Sequence, residues 1–477
     1  MTDSPASFLI KKCFTFMLLL SGFSLSGLFI IPDQAEAQNR VRILASDRLE
    51  GDQTDEGSVT KFIGNVKLET DDFVIVCDSA YQYSDLDELR AYGNIQIDME
   101  TETIWSDYAY YHIGEEISEF EGRVVMQGEN ATLFSDYVEY SFITKIATFP
   151  GSLRLEDEES VLLSDSGTYY NEQDSATFRG HVQMADSVQY IEADSLFTNR
   201  SARYYELFGD VFLDDFENRV RLSGDYVEAD STGQRTIEGS SRMRRINESE
   251  TDTTHINAHR MEVLESDTTY TFKGFTNVEI WTPDYSSLSD TANYDDHLEL
   301  FTLEGSPSTW YNNIQLTGPR IEIQLQDDAI RSLLSYIRSF SVQEDTLTGR
   351  LNQVTGDTIY VNFEDDQIDY IDVTNQSSIF YHTKDEERNP DGAVEMSARF
   401  IKMIFLDGEL EDVNSYENIT GTFFQESSSL ESHELEGFVW EPDRRPQRPP
   451  TEIEKRLGDI PVERPFSLPR RYLESQE

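Results

Sequence analysis

The chain is nearly without cysteine: of 477 residues only Cys13 and Cys77 carry a thiol. Cys13 falls in an N-terminal segment expected to be removed, so an intramolecular disulfide is excluded. Stability must then come from packing and backbone pairing, and Cys77 reads as a buried, inert thiol. Basic residues are scarce, with 38 Lys and Arg against 91 Asp and Glu and a formal net charge of −53. Such a surface repels nucleic acid, draws no anionic membrane and keeps a long chain soluble. Neither a G-x-S-x-G elbow, a C-x-x-C pair nor a phosphate-binding loop occurs. The chain therefore reads as a non-enzyme with no catalytic residue and no cofactor. High charge also suits a disordered chain, but 24 Tyr and 28 Phe are too many aromatics for one.

The N-terminus is set apart in composition. Lys11 and Lys12 precede a mostly apolar run from Cys13 to Ile31, followed by Pro32 and Ala35-Glu36-Ala37. A basic flank, an apolar centre and an A-x-A site describe a secretory signal peptide spanning 1–37. An uncleaved anchor is the competing reading, weakened by the Ser and Gly residues that dilute the run.

A repeat organises the chain beyond this segment. Glycines stand at Gly64, Gly93, Gly122, Gly151, Gly180 and Gly209, each 29 residues after the last. Aspartates keep the same interval at Asp78, Asp107, Asp136, Asp165 and Asp194. Beyond these the register loosens through Asp225, Gly239, Gly274, Asp290 and Gly305. Most of the six glycines have an apolar residue two positions earlier: Phe62, Phe120, Phe149, Phe178, Leu207. After them comes strict alternation: Val66 and Leu68, Ile95 and Ile97, Val124 and Met126, Leu153 and Leu155, Val182 and Met184, Val211 and Leu213. Period-two alternation marks strands with one buried face, and glycine at a strand edge suits a bend or bulge. A second strand follows a Ser-Asp or Ala-Asp step and is rich in aromatics such as Tyr81, Tyr83, Tyr110, Tyr111, Tyr140, Tyr169 and Tyr170. Polar turns at 85–87 and 171–174 close the units.

Stacked β units bury a continuous core. Two architectures fit: an elongated jelly roll of two facing antiparallel sheets, which is favoured, and a single-chain β-solenoid. A unit of 29 residues suits three short strands with turns. Asp328 to Ile337 is the one stretch of the repeat region whose spacing also fits a helix. The β pattern resumes at Leu347 and runs to Phe424. Half of the fourteen prolines fall between Pro442 and Pro469, which rules out sheet there and leaves an extended tail. Thr451 to Leu457 has the composition of a short helix. The organisation expected is a signal peptide at 1–37, β repeats over 38–325, a further β region over 326–440 and a Pro-rich tail over 441–477.

Gly64-Asn65-Val66-Lys67-Leu68 through Asp78 to Tyr83, and Gly93-Asn94-Ile95-Gln96-Ile97 through Asp107 to Tyr111, resemble the OstA-like (LptA-type) family of periplasmic lipopolysaccharide-transport proteins. Val354 to Ile359, Phe363-Glu364-Asp365, Ser378 to Tyr381 and Leu435 to Trp440 resemble its longer Bacteroidetes-like form. Together these stretches cover about residues 40–440. The resemblance implies a jelly roll whose apolar interior holds the acyl chains of lipopolysaccharide during transport to the outer membrane. It also implies sheet-edge addition to other jelly-roll transport proteins at the inner and outer membranes, and a periplasmic location with possible outer-membrane association. The alternating residues from Val66 to Leu213 are then the candidate lipid-groove positions. Two departures stand out, the length and the acidity, and the latter is awkward for a phosphate-bearing ligand. The alternative function is a secreted or surface adhesin built as a solenoid.

Other chemistry is weaker. One carboxylate per 29 residues lacks the oxygen clustering of a calcium loop. His255 and His259 have i, i+4 spacing but no H-E-x-x-H context, so no metal site is assigned. Asp295-Asp296 and Asp365-Asp366 read as solvated turn charges.

Overall fold

The computed structural model describes residues 41–450 and 467–476, except 129–130, 158–159, 188, 217–218, 247–252, 267–268, 327–328, 386, 388 and 407. The expected signal peptide and the helix expected at Thr451–Leu457 lie outside the described residues. Among the described residues thirty strands form one antiparallel sheet that does not close into a barrel. Every described pairing is antiparallel, as between Val74–Tyr83 and Glu88–Asp98. That ladder overturns the solenoid alternative, whose coils stack in parallel.

The 29-residue unit is two long strands rather than three short ones. In the first unit Val74–Tyr83 runs through Asp78, and Glu88–Asp98 runs through Gly93. Glycine thus sits inside a strand, not at its edge. Val76 pairs with Gln96 and Ser79 with Tyr92. Two residues, Cys77 and Asp78, therefore face three, Gly93, Asn94 and Ile95, which is a bulge. Gly93 has φ +77° and Asn94 φ +46°, two successive left-handed residues that turn the strand. Both halves keep their apolar residues inside: Leu89 and Ala91 before the turn, Ile95 and Ile97 after it, all at 0–1% exposure. Each strand is thus bent into two limbs, and the limbs face each other. The facing sheets anticipated from the sequence are one sheet folded along a line of corners.

Most of the repeated glycines mark that line. Positive φ recurs at Gly64-Asn65, Gly122-Arg123, Gly180-His181, Gly209-Asp210, Gly239-Ser240 and Gly305-Ser306. Gly151 turns the chain differently, because Ile146–Phe149 and Leu153–Glu156 stop on either side of Pro150-Gly151. Farther along, non-glycine pairs take the role: Thr276-Asn277, Ile337-Arg338, Asn375-Gln376 and Glu417-Asn418. Gly274 lies two residues before such a corner, inside Thr269–Trp281.

One expectation is corrected here. Residues from Ala329 onward are not helical but open the strand Ala329–Asp345, paired on both sides with Arg320–Gln326 and Arg350–Glu364. A bulge at Arg331 puts Ile330, opposite Leu325, and Leu333, opposite Ile323, on one face three residues apart, and that slip imitates helical spacing. Ile337 sits on the outside of the corner, 64% exposed. The polar turns fall where expected, at 84–87 and 171–174. Asp365 and Asp366, with φ +49° and +56°, make a two-residue hairpin turn of the primed type.

By packing, the described residues divide into an N-terminal unit (41–216, 226–231 and 467–476) and a C-terminal unit (219–225 and 232–450). After the last strand, Thr420–Gln425, the chain leaves the sheet, with 3-10 turns at Ser428–Ser432 and Pro442–Arg444. The α-helix Arg470–Ser475 belongs to the N-terminal unit, where Tyr472 meets Trp105 edge to face at 5.1 Å.

Candidate functional site: the interior between the two limbs

In the N-terminal unit the cross-strand register collects the alternating residues into rows. One row reads Leu68, Ile75, Ile97, Ile104, Met126, Leu133, Leu155, Leu162, Met184, Ile191, Leu213, one residue from each successive strand. It is aliphatic or thioether throughout. Nearer the corner Val66, Ile95, Val124, Leu153, Val182 and Val211 come from every second strand. Between them stand small residues: Val66 pairs with Cys77, Ile95 with Ser106, Val124 and Leu153 with Ser135, and Val182 with Ala193. The twelve candidate groove residues therefore share one face of one limb. Ten are buried, at 0–7% exposure, and Leu155 and Met184 are half-buried.

The small residues explain the Ser-Asp step. Ser106 Oγ donates to the Tyr108 carbonyl at 3.0 Å, Ser135 Oγ to Tyr137 at 3.1 Å and Ser164 Oγ to Ser166 at 3.1 Å. Each hydroxyl satisfies itself across the corner while leaving room for the large aliphatic residues on both sides. The aspartate that comes next turns outward. Asn94 Nδ2 donates to Asp78 Oδ2 at 2.6 Å, and Arg123 Nε donates to Asp107 Oδ2 at 2.8 Å. His181 Nδ1 lies 2.7 Å from Asp165 Oδ2, and that carboxylate raises the His181 pKa above its ordinary value. Asp78, Asp107 and Asp165 thus brace the corner glycine of the next strand and the residue after it, and Asp194 lies against Gly209 in the same way.

The opposite limb supplies the other wall. Phe62, Ala80, Ala91, Ala109, Phe120 and Val138 align in one row, and Phe149, Gly167, Phe178, Leu196 and Leu207 in a second. The apolar residues that precede the repeated glycines all belong here. At the far ends of the limbs an aromatic cluster closes the gap. Phe73, in the turn beyond one limb, meets Tyr111 edge to face at 5.1 Å and stacks on Phe142 at 5.0 Å. Tyr140 joins Phe142 at 4.9 Å, and burial pushes its hydroxyl up to about 12. All four rings are 4% exposed. Sequence reading missed Phe73, whose only signal was an aromatic residue in an otherwise acidic turn, Asp71-Asp72-Phe73.

The facing rows of the two limbs are therefore apolar and closely packed. Burial pushes the Cys77 thiol up to about 12, the opposite of an activated nucleophile. His255 and His259 lie on the strand Thr253–Ser266. His255 packs on Trp281 at 5.6 Å. Burial, with Arg244 and Arg448 beside it, holds that imidazole down to about 4. Among the described residues no three His, Cys, Asp or Glu side chains come together as a metal site.

The interior of the C-terminal unit is more polar. The equivalent row runs Ile256, Ile280, Ser287, Thr309, Leu316, Ser341, Val354, Ile379. Ser287 and Thr309 share a hydrogen bond at 3.0 Å.

No curated protein matches the chain. A protein-family model described as OstA-like protein matches residues 38–194. The matched stretch holds the first five repeated glycines and most of the aliphatic row from Leu68 to Leu213, so over residues 38–194 the chain is similar to OstA-like proteins.

Proposed function

We propose that the chain is a periplasmic lipid-binding bridge that shields the acyl chains of lipopolysaccharide during their passage to the outer membrane. The observation that carries this reading is the aliphatic row from Leu68 to Leu213, backed by the second row at the corner. At a strand spacing of ~4.8 Å it runs on the order of 45–50 Å within one unit. A lipid crossing water needs continuous apolar cover for its chains, and a row of this kind supplies it without covalent chemistry. Release would come from the same geometry: the limbs part at the aromatic end, and no bond has to be broken. Transport proceeds without catalysis by this chain, which acts as a conduit.

Both edges of the sheet support docking by strand addition to other jelly-roll transport proteins. Arg42–Ala45 and Arg48–Thr54 each pair with Gly57–Glu69, leaving Ile43, Leu44 and Leu49 at least half exposed. At the other edge Glu409–Tyr416 and Thr420–Gln425 each pair with Pro390–Leu406, and Tyr416, Ile419 and Phe423 are exposed. Open edges of this kind accept a further strand. Export by a cleaved signal peptide at 1–37 would place the chain in the periplasm.

The test is site-specific photocrosslinking in intact cells, with probes at Val124 and Val182 and a control at the outward-facing Tyr108. Lipopolysaccharide adducts at the two interior sites and none at the control are expected. Absence of adducts at every interior position would overturn the reading.

A further inference from the structure

The outer face of the C-terminal unit carries an ordered row of its own. The register aligns Arg244, His255, Trp281, Ser286, Trp310, Gln315, Val342, Gln353, Phe380 and Glu395 across successive strands. The segment after the last strand lies along this row, crosswise to the strands. His433 stacks on Phe380 at 4.2 Å, and its Nε2 lies 3.0 Å from Glu395 Oε2. Leu430 and Leu435 are buried with Phe340, Val342, Phe380 and Ala393, and Phe438 and Trp440 pack against the same cluster. Farther on, Arg445 donates to Ser286 Oγ at 3.2 Å and to the Asn312 carbonyl at 2.7 Å. Arg448 lies over the Trp281 ring at 5.8 Å.

Two buried amides hold the backbone of this segment. Gln353, 2% exposed, donates from Nε2 to the His433 carbonyl at 2.7 Å and accepts at Oε1 from the Leu435 N–H at 2.8 Å. Gln315, 1% exposed, donates to the Val439 carbonyl at 3.2 Å. It also accepts from the Glu441 N–H at 2.8 Å and from Trp310 Nε1 at 3.1 Å. Each amide offers the segment one donor and one acceptor, the service a neighbouring strand performs in a sheet. The backbone-to-backbone bonds described for the segment stay within it, as from Phe438 N–H to the Leu435 carbonyl. At its start, Arg350 clasps Glu426 with both Nη atoms. Leaving the face would therefore cost side-chain contacts and no rung of the sheet.

We propose that this face is a binding groove for an extended peptide, with residues 427–448 of the same chain as its resident, detachable ligand. The ligand class is set by the groove. It is a segment with a 3-10 turn near each end and proline at its C-terminal end that presents apolar and aromatic side chains at the spacing of Leu435, Phe438 and Trp440, with its backbone read by Gln353 and Gln315. Backbone reading tolerates sequence change, whereas the pockets select side chains. The inference is independent of the lipid reading, because this row lies on the opposite face of the limb from the interior.

The test uses the full-length chain. A fluorescent peptide of residues 427–448 is titrated into wild type and into Glu426→Gln, which frees the clasp. Saturable binding is expected, at least several-fold tighter to Glu426→Gln. A peptide with Ser at the four positions of His433, Leu435, Phe438 and Trp440 should not bind, and Gln353→Leu should weaken the native peptide about tenfold. Hydrogen exchange on the wild type gives a second reading that no misfolded variant can confuse. The Leu435 and Glu441 amides should exchange at least tenfold faster than the sheet amides of Val342 and Phe380. The proposal is overturned if the peptide fails to bind Glu426→Gln, or if those two amides exchange only together with the sheet.

Discussion

Gly167 on one limb and Leu153 on the other meet on the inside of the bend: a Cβ at Gly167 would lie 2.7 Å from Leu153 Cδ2 and 3.2 Å from Phe178 Cδ1. None of the six glycines at the strict 29-residue spacing does this. Gly167 is there because the two walls of the interior touch at this point.

Gly167→Ala should therefore overpack the corner and destabilise the chain by about 1–3 kcal/mol, read as a lowered denaturant midpoint at constant slope. Gly151→Ala is the control, because a Cβ there meets nothing within 4 Å and its φ is not left-handed. It should stay within about 0.5 kcal/mol of wild type.

The corner glycines have a different constraint. At Gly93 a side chain would have to adopt φ +77° and would lie 2.7 Å from Asp78 Oδ2. Gly93→Ala should cost about 1–3 kcal/mol. Pairing it with Asp78→Ala should recover part of that loss, since the clash goes and only the left-handed strain stays. A double-mutant cycle with no coupling between the two sites would contradict this account of the corner.

Phe73 is the ring that closes the limbs at their far ends. Phe73→Ala removes both of its ring contacts and should cost about 3–5 kcal/mol. It should also raise the fluorescence of an environment-sensitive apolar dye added to the folded protein. Unchanged dye binding would mean that the interior stays sealed without Phe73.

His255 gives a pH dependence with a definite sign. Its folded value is about 4 against an ordinary 6.5, so the folded chain holds fewer protons than the unfolded one between those pH values. Stability from this residue is complete above pH 6.5 and falls as the pH drops toward 4. Burial is the main cause, with Arg244 and Arg448 adding to it. Arg448→Gln should move the His255 imidazole titration upward, measured by NMR. An unmoved titration would show that the Arg448 charge does not reach it.

Cys77 should be inert in the folded state. With its thiol pushed up to about 12 by burial, it should react with an aromatic disulfide reagent orders of magnitude more slowly than in denaturant. Prompt labelling of the native chain would show that the corner row opens to solvent.

Much of this was legible in the sequence because the β-strand period is two and the repeat is strict. The alternation after each glycine picked twelve residues that share the limb face but missed Ile75, Ile104, Leu133, Leu162 and Ile191 on the strands between them, and the glycine register marked most of the corners. Legibility failed wherever a feature depended on which strand lies opposite. The structural partner of Asp78 is the glycine 15 residues after it, not the one 14 before it. A step of phase at the Arg331 bulge made a bent strand look helical. Phe73 was invisible because a lone aromatic residue in a turn says nothing about what it will touch.

The sequence by itself determined that the chain is a β repeat and which face of each strand is apolar, because alternation and turn chemistry are local properties. Its family resemblance also lay there, in short motifs that persuade only by repetition. Only the tertiary structure decided that each 29-residue unit is two bent strands and that the bend lets two limbs seal an aliphatic interior. It alone decided that the proline-rich segment after the sheet lies along a row headed by Trp281 and Phe380. Those facts rest on register and on contacts between residues up to some 170 positions apart, as between Arg448 and Trp281, and no local pattern encodes them.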